Sequence, residues 1–330
     1  MFGLAAVVLL AELAHEDGGV GGRGLDSLFT RDGEVAVLIL AVGLIAFRAI
    51  SHAHERAAWS MFAVGLACYT AGEIIWRVAY AGDEHPPWPS AADVAWELWY
   101  PFAIAGVVLL ARARIPRREA SMWMDGLSAA LLVAIPSVAL VLEPVVHHAH
   151  LGTFGNLVEA SYPLWDILVL GAAVAALGMT GWRPSRSWVL LVLGLSTFTI
   201  VDCVYAVQSI EGSYREAVYD WIWPLGALLI AGASIARPGE ATEEHVVGWR
   251  AIALGVACQA VAIGTQVYGI DHYLPHVERY LTIAVLALIV VQLVLTRPRV
   301  VRSPERVAPD RPSPASSPPP LGGDMRGGRS

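Results

Sequence analysis

The chain has 330 residues, of which 56% are hydrophobic and only 15% charged. That balance excludes a water-soluble domain of this size, whose surface would need a much larger charged fraction. The formal net charge of −7 averages over regions that a bilayer keeps apart, so the placement of charge is more informative than its sum.

From the N-terminus, residues 1–33 form an outer segment in which the apolar stretch Met1 to Ala14 lacks a basic leader and is short for a span. A spanning helix needs about 20 mostly apolar residues. Nine apolar runs of about that length follow, over 34–51, 57–80, 93–112, 122–142, 160–180, 187–209, 218–236, 248–268 and 275–296. They are separated by charged, Pro and Gly clusters. The expected fold is therefore an all-α, polytopic transmembrane helical bundle over residues 34–296. Residues 297–330, rich in Pro, Arg, Ser and Gly, read as a disordered cytoplasmic tail. Cys68, Cys203 and Cys258 each sit inside an apolar run, so neither a disulfide framework nor a CxxC zinc site is expected.

Every one of the 22 basic residues is Arg, and they cluster on alternate loops. Arg48, Arg56, Arg112, Arg114, Arg117, Arg118, Arg183, Arg186, Arg237 and Arg250 lie on one side. The opposite loops hold few, Arg215 and Arg279, and are instead acidic and carry His, with Asp83, Glu84, Glu143, Glu159 and Asp271. The positive-inside rule then predicts a multi-pass plasma-membrane protein with its N-terminus outside and its C-terminus in the cytoplasm. Trp59, Trp123, Trp182, Trp188 and Trp249 fall at predicted cytoplasmic helix ends, as interfacial rings do. Tyr100-Pro101, Tyr162-Pro163, Trp223-Pro224 and Leu274-Pro275 read as helix starts.

The second and third runs resemble the sixth and seventh. Gly65-Leu66, Thr70, Glu73 and Trp76 match Gly194-Leu195, Thr199, Asp202 and Tyr205 at one constant offset. Tyr100-Pro101, Ala105-Gly106 and Arg112 echo Trp223-Pro224, Ala231-Gly232 and Arg237. Copies four helices apart share one orientation, so the expectation is a parallel internal duplication.

Five short segments carry a family resemblance: Met124-Asp125-Gly126-Leu127, Leu142-Glu143-Pro144, Ser161-Tyr162-Pro163-Leu164-Trp165-Asp166, Asp202-Cys203-Val204-Tyr205 and Tyr219-Asp220-Trp221-Ile222-Trp223-Pro224. In these, residues 35 to 297 resemble the multi-helix membrane sensor region found ahead of GGDEF and EAL domains in actinobacterial cyclic-di-GMP signalling proteins. The resemblance implies a sensor whose last helix leads into a cytoplasmic cyclase. Here only residues 297–330 follow, and Gly322-Gly323-Asp324 continues as Met325-Arg326, so cyclase activity does not carry over. No catalytic triad, HExxH, Walker loop or dinucleotide turn occurs in a plausible context, so no enzyme activity and no cofactor are expected.

Ionisable groups inside spanning runs are costly and are candidate functional sites by default. The expected ligand-binding group is Glu73, Arg77, Trp76, Glu97, Asp166, Asp202, Tyr205 and Asp220, a polar and aromatic vestibule open to the outside. Arg77 follows Glu73 by four residues and shares its helix face. The plainer alternative is that these groups bond helix to helix. His147, His148 and His150 are a candidate outer metal site, since imidazole suits zinc, copper or nickel. The expected function is an integral membrane sensor or accessory signalling protein acting on a separate cytoplasmic partner. A small-molecule or proton-coupled transporter is the alternative. The expected partners are the lipid bilayer and a cytoplasmic signalling protein, with a homo-oligomer left open. No nucleic-acid binding is expected, because the basic residues mark topology rather than a groove.

Overall fold

The computed structural model describes residues 33–80, 90–115, 154–179, 184–211 and 220–237, with isolated positions among 2–7, 82–89 and 127–138 and at 283. The described residues are helical, with no strand among them. Among the described residues five helices are long and apolar enough to cross a membrane, and Ile222–Ile235 is a shorter apolar helix. The runs expected over 122–142, 248–268 and 275–296 lie outside the described residues apart from isolated positions, as do the tail and His147, His148 and His150.

The helices are α1 (Gly33–Ser51), α2 (Arg56–Ile75), α3 (Ala91–Glu97), α4 (Trp99–Arg114), α5 (Phe154–Met179), α6 (Arg186–Glu211) and α7 (Ile222–Ile235). A 3-10 turn, Ala53–Glu55, leads into α2, and a π-helical turn, Trp76–Tyr80, ends it. The run expected to be one helix over 93–112 is thus broken at Leu98. Pro101 explains the break, because it has no N–H to donate to the carbonyl of Glu97, four residues back. Pro163 corrects another expectation. It lies inside α5 rather than at its start, and the helix begins at Phe154.

The helices close on themselves as a ring. α1 packs on α2, α2 on α4, α4 on α5, α5 on α6, α6 on α7, and α7 returns to α1. The interior is apolar and aromatic: Phe62 and Leu66 from α2, Trp99 and Val107 from α4, Leu195 and Phe198 from α6, and Ile230 from α7 are buried. Phe198 meets Tyr69 edge-on at 5.3 Å and Trp99 at 5.4 Å, so α2, α4 and α6 touch through their rings. Two glycines set the helix spacing. A Cβ at Gly65 would lie 2.8 Å from Cβ of Phe102, and one at Gly194 would lie 2.8 Å from the Gly226 carbonyl. Small residues are what allow backbones to approach this closely in a helical membrane bundle.

Large apolar side chains also face outward: Ile39, Phe47, Ile50, Val78, Leu193 and Ile200 are exposed. An apolar exterior over an apolar interior suits lipid rather than water.

Candidate functional site

Polar side chains gather at the two ends of the ring and are sparse between. At one end, here the acidic end, α1 contributes Glu34 in its first turn and α2 contributes Glu73 in its last. Arg77 follows in the π-turn. Its Nη2 donates to Glu34 Oε2 and lies 3.6 Å from Glu73 Oε2. The turn advances the chain past the α-helical register, and such turns recur at functional sites.

Across the ring, α5 and α6 bring Asp166 and Asp202 within hydrogen-bonding reach of each other. Asp202 accepts from the Tyr100 hydroxyl of α4 at 3.3 Å and from the Trp223 indole of α7 at 2.8 Å. Asp166 Oδ1 accepts from the Thr199 hydroxyl at 3.5 Å. Asp166 is 2% exposed, and its Oδ2 has no hydrogen-bond donor among the described residues. Aromatic rings stand beside the pair: Tyr100 stacks on Trp165 with centroids 6.2 Å apart and meets Tyr162 at 6.3 Å.

The short helix α3 fixes a third acidic group. Ser90 caps it: the hydroxyl accepts from the Ala92 N–H at 3.2 Å, and Asp93 Oδ2 accepts from the Ser90 N–H at 2.7 Å, a reciprocal capping box. Asp93 Oδ1 then accepts from the Tyr162 hydroxyl at 2.8 Å, tying α3 to α5. Glu97 accepts from the Ser161 hydroxyl in the same way.

The structure therefore brings Glu73 and Arg77 together, and Asp166 with Asp202, within one end of the ring. Trp76 packs its ring against Tyr80 and Trp96, 5.6 and 5.9 Å away. Glu97 bonds toward α5. Tyr205 is half-buried on α6, and Asp220 lies half-buried in the turn before α7. Sequence reasoning missed Glu34, Asp93 and Tyr100. The pattern Ser90-x-x-Asp93 before an apolar run was the available signal for one of them. Glu34 was visible only as the first residue of a span, with nothing local to say that Arg77 would reach it. Most of these polar groups bond from helix to helix, as the plainer reading expects; Asp166 Oδ2, Arg77 Nη1 and the Trp96 indole N–H are buried atoms at this end without a partner among the described residues.

At the other end a second cluster was not anticipated. Glu55, buried, accepts from Arg48 Nη2 at 3.0 Å, from the Trp59 indole at 2.8 Å, and from Arg114 through Nε at 2.7 Å and Nη2 at 3.1 Å. Arg114 Nη1 donates to Ser187 at 3.0 Å, and Ser187 donates to the Ala233 carbonyl at 2.7 Å. One connected network thus joins the ends of α1, α2, α4, α6 and α7. The guanidinium lies between the rings of Trp59 and Trp188, 5.9 and 5.6 Å from their centroids. This corrects the interfacial reading of those two tryptophans, which are 0% and 3% exposed.

No family model, no curated protein and no solved structure matches the chain.

Proposed function

We propose that this chain is an integral membrane sensor, with its receptor site at the acidic end of the ring and its coupling surface at the Glu55 end. The observation that carries the reading is the division of polar groups into two unlike clusters separated by an apolar, ring-filled layer. Glu34, Glu73, Asp93, Glu97, Asp166 and Asp202 gather at one end, where Arg77 is the single basic side chain among the described residues. Arg48 and Arg114 hold Glu55 at the other. A conducting protein needs polar groups along its path, whereas Leu66, Phe198, Trp99, Val107 and Ile230 fill the space between the clusters. The Arg-rich loops favour a topology with the acidic end outside the cell and the Glu55 end in the cytoplasm.

A parallel duplication gives this arrangement its form. The helices α1, α2 and α4 would correspond to α5, α6 and α7. The order of packing supports this, because α1 on α2 on α4 recurs as α5 on α6 on α7, and the remaining contacts, α4 on α5 and α7 on α1, exchange under the same rotation. Equivalent residues also behave alike: Gly65 and Gly194 each admit the next helix, and Trp59 and Trp188 flank the same guanidinium. The duplication, with an acid buried in each half, also suits a proton-coupled transporter.

The test is affinity capture from native membranes in mild detergent, together with uptake in sealed vesicles. A co-purifying cytoplasmic signalling protein, lost when Arg114 is replaced, supports the sensor. Proton-linked solute uptake without such a partner overturns it in favour of the transporter.

A further inference from the structure

The two halves treat their paired acids differently. At one constant offset Glu34, Val37, Ala41 and Leu44 of α1, all buried, match Asp166, Val169, Ala173 and Ala176 of α5, all buried. Glu73 matches Asp202 in the same sense on α2 and α6. Each half therefore holds one carboxyl from its first helix and one from its second. In the first half Arg77, one turn beyond Glu73, supplies a guanidinium that contacts both. The residue one turn beyond Asp202 is Ala206, which is 5% exposed. No cation reaches Asp166 or Asp202 from the described residues, and Asp166 Oδ2 is left buried with no donor.

We propose that the Asp166–Asp202 pair is a binding site for a small primary ammonium or guanidinium cation, which takes the place that Arg77 fills in the other half. A buried carboxylate is tolerated when a cation and hydrogen bonds satisfy it, and is costly otherwise. A primary ammonium brings three N–H donors. Asp166 Oδ2 takes one, the Asp202 carboxylate a second, and Tyr100, whose hydroxyl already reaches Asp202, stands beside them. The rings of Tyr100, Trp165 and Tyr162 supply the faces that favour a cation in a desolvated site. Ala206 stands where the first half carries Arg77, so this helix supplies no cation of its own to the pair from that position. The same head group occurs on free amines and on phosphatidylethanolamine, and both would be recognised by these donors and acceptors.

The inference rests on reading the acidic end as a receptor site. The test is thermal unfolding of the full chain in phosphatidylcholine nanodiscs with n-butylammonium, with tetramethylammonium and n-butanol as controls, repeated in discs that contain phosphatidylethanolamine. The expected result is a saturable rise of roughly 3 °C with butylammonium at about ten times its Kd, little with either control, and loss of the response in Asp166→Asn and Asp202→Asn. A rise from phosphatidylethanolamine alone, lost in the same variants, assigns the site to the lipid head group. Ala206→Arg should raise the melting temperature without ligand and abolish the response. The proposal is overturned if neither amine source shifts the wild type, or if Asp166→Asn or a folded Ala206→Arg responds as the wild type does. Failure here with a signalling partner still captured removes only the ligand class. Amine binding with no partner captured removes only the sensor.

Discussion

Arg114 and Glu55, on helices α4 and the turn before α2, are joined twice, from Nε to Oε1 at 2.7 Å and from Nη2 to Oε2 at 3.1 Å. The planar guanidinium meets both carboxylate oxygens, a geometry that lysine cannot reproduce. Glu55 also holds Arg48, so a single carboxylate is shared by two cations that are themselves largely buried.

Glu55→Gln should therefore be among the most destabilising single changes in the described ring. Removing one partner leaves Arg48 and Arg114 buried without their counter-charge, a loss of about 3–5 kcal/mol for such pairs. Thermal unfolding in detergent reads it. Glu55→Gln combined with Arg114→Gln should lose less than the sum of the two single variants, because the groups form one network. Additive losses would show that they act independently.

The Arg77 contacts rank two acids. Glu34 bonds the guanidinium directly, whereas Glu73 stands 3.6 Å from it. Glu34→Gln should thus cost about 2 kcal/mol, below the fully buried case because Arg77 is partly exposed, and Glu73→Gln should cost less. Melting temperatures of the two variants decide the order. Equal losses would mean that the pair shares Arg77 evenly.

Gly194→Ala should destabilise by about 1–3 kcal/mol through overpacking, since the new Cβ meets backbone, the Gly226 carbonyl at 2.8 Å and the Ile230 N at 3.0 Å. Gly171→Ala is the control. Its Cβ would meet Ala130 at 3.7 Å, an ordinary contact, and its melting temperature should stay within a degree or two of the wild type. A neutral Gly194→Ala would show that α6 and α7 can separate freely.

Asp93→Ala removes the return arm of the capping box, its bonds from the Ser90 N–H and hydroxyl, and a bond to α5 at once. The capping-box arm is worth about 1 kcal/mol as a hydrogen bond, and Tyr162→Phe, which removes only the cross-helix bond, should cost about 0.6 kcal/mol, the average for such bonds between membrane helices. The ratio of the two losses by thermal unfolding checks the division. A Tyr162→Phe variant as damaged as Asp93→Ala would assign the effect to α5 rather than to the cap.

Much of the helix layout was readable because apolar run length alone marks a span: α1, α2, α5, α6 and α7 each overlap an expected run. The i, i+4 pairing of Glu73 with Arg77 was readable for the same kind of reason, since helical periodicity is local. The ring was not, because nothing in the sequence states that α7 returns to α1. Glu55 was overlooked among Arg48 and Arg56, where the arginines served to orient the loops. Its partner Arg114 is far along the chain, and only packing brings them together. Although Thr199 lies three residues before Asp202 on the same helix, it is the hydroxyl of Tyr100 and the indole of Trp223, from other helices, that reach Asp202. Thr199 donates to Asp166 instead.

Helix direction around the ring has an electrostatic consequence. α1, α4, α5 and α7 run from the acidic end toward the Glu55 end, and only α2 and α6 run back. The start of a helix carries about half a positive charge, from N–H groups without partners, and its finish about half a negative one. Backbone dipoles therefore favour anions at one face of the bundle and cations at the other. Glu34 and Asp93 in first turns, and Arg48, Arg112 and Arg114 in last turns, follow that polarity. Exchanging acidic and basic side chains between the two faces would set them against the peptide backbone itself, even where every new pair could form.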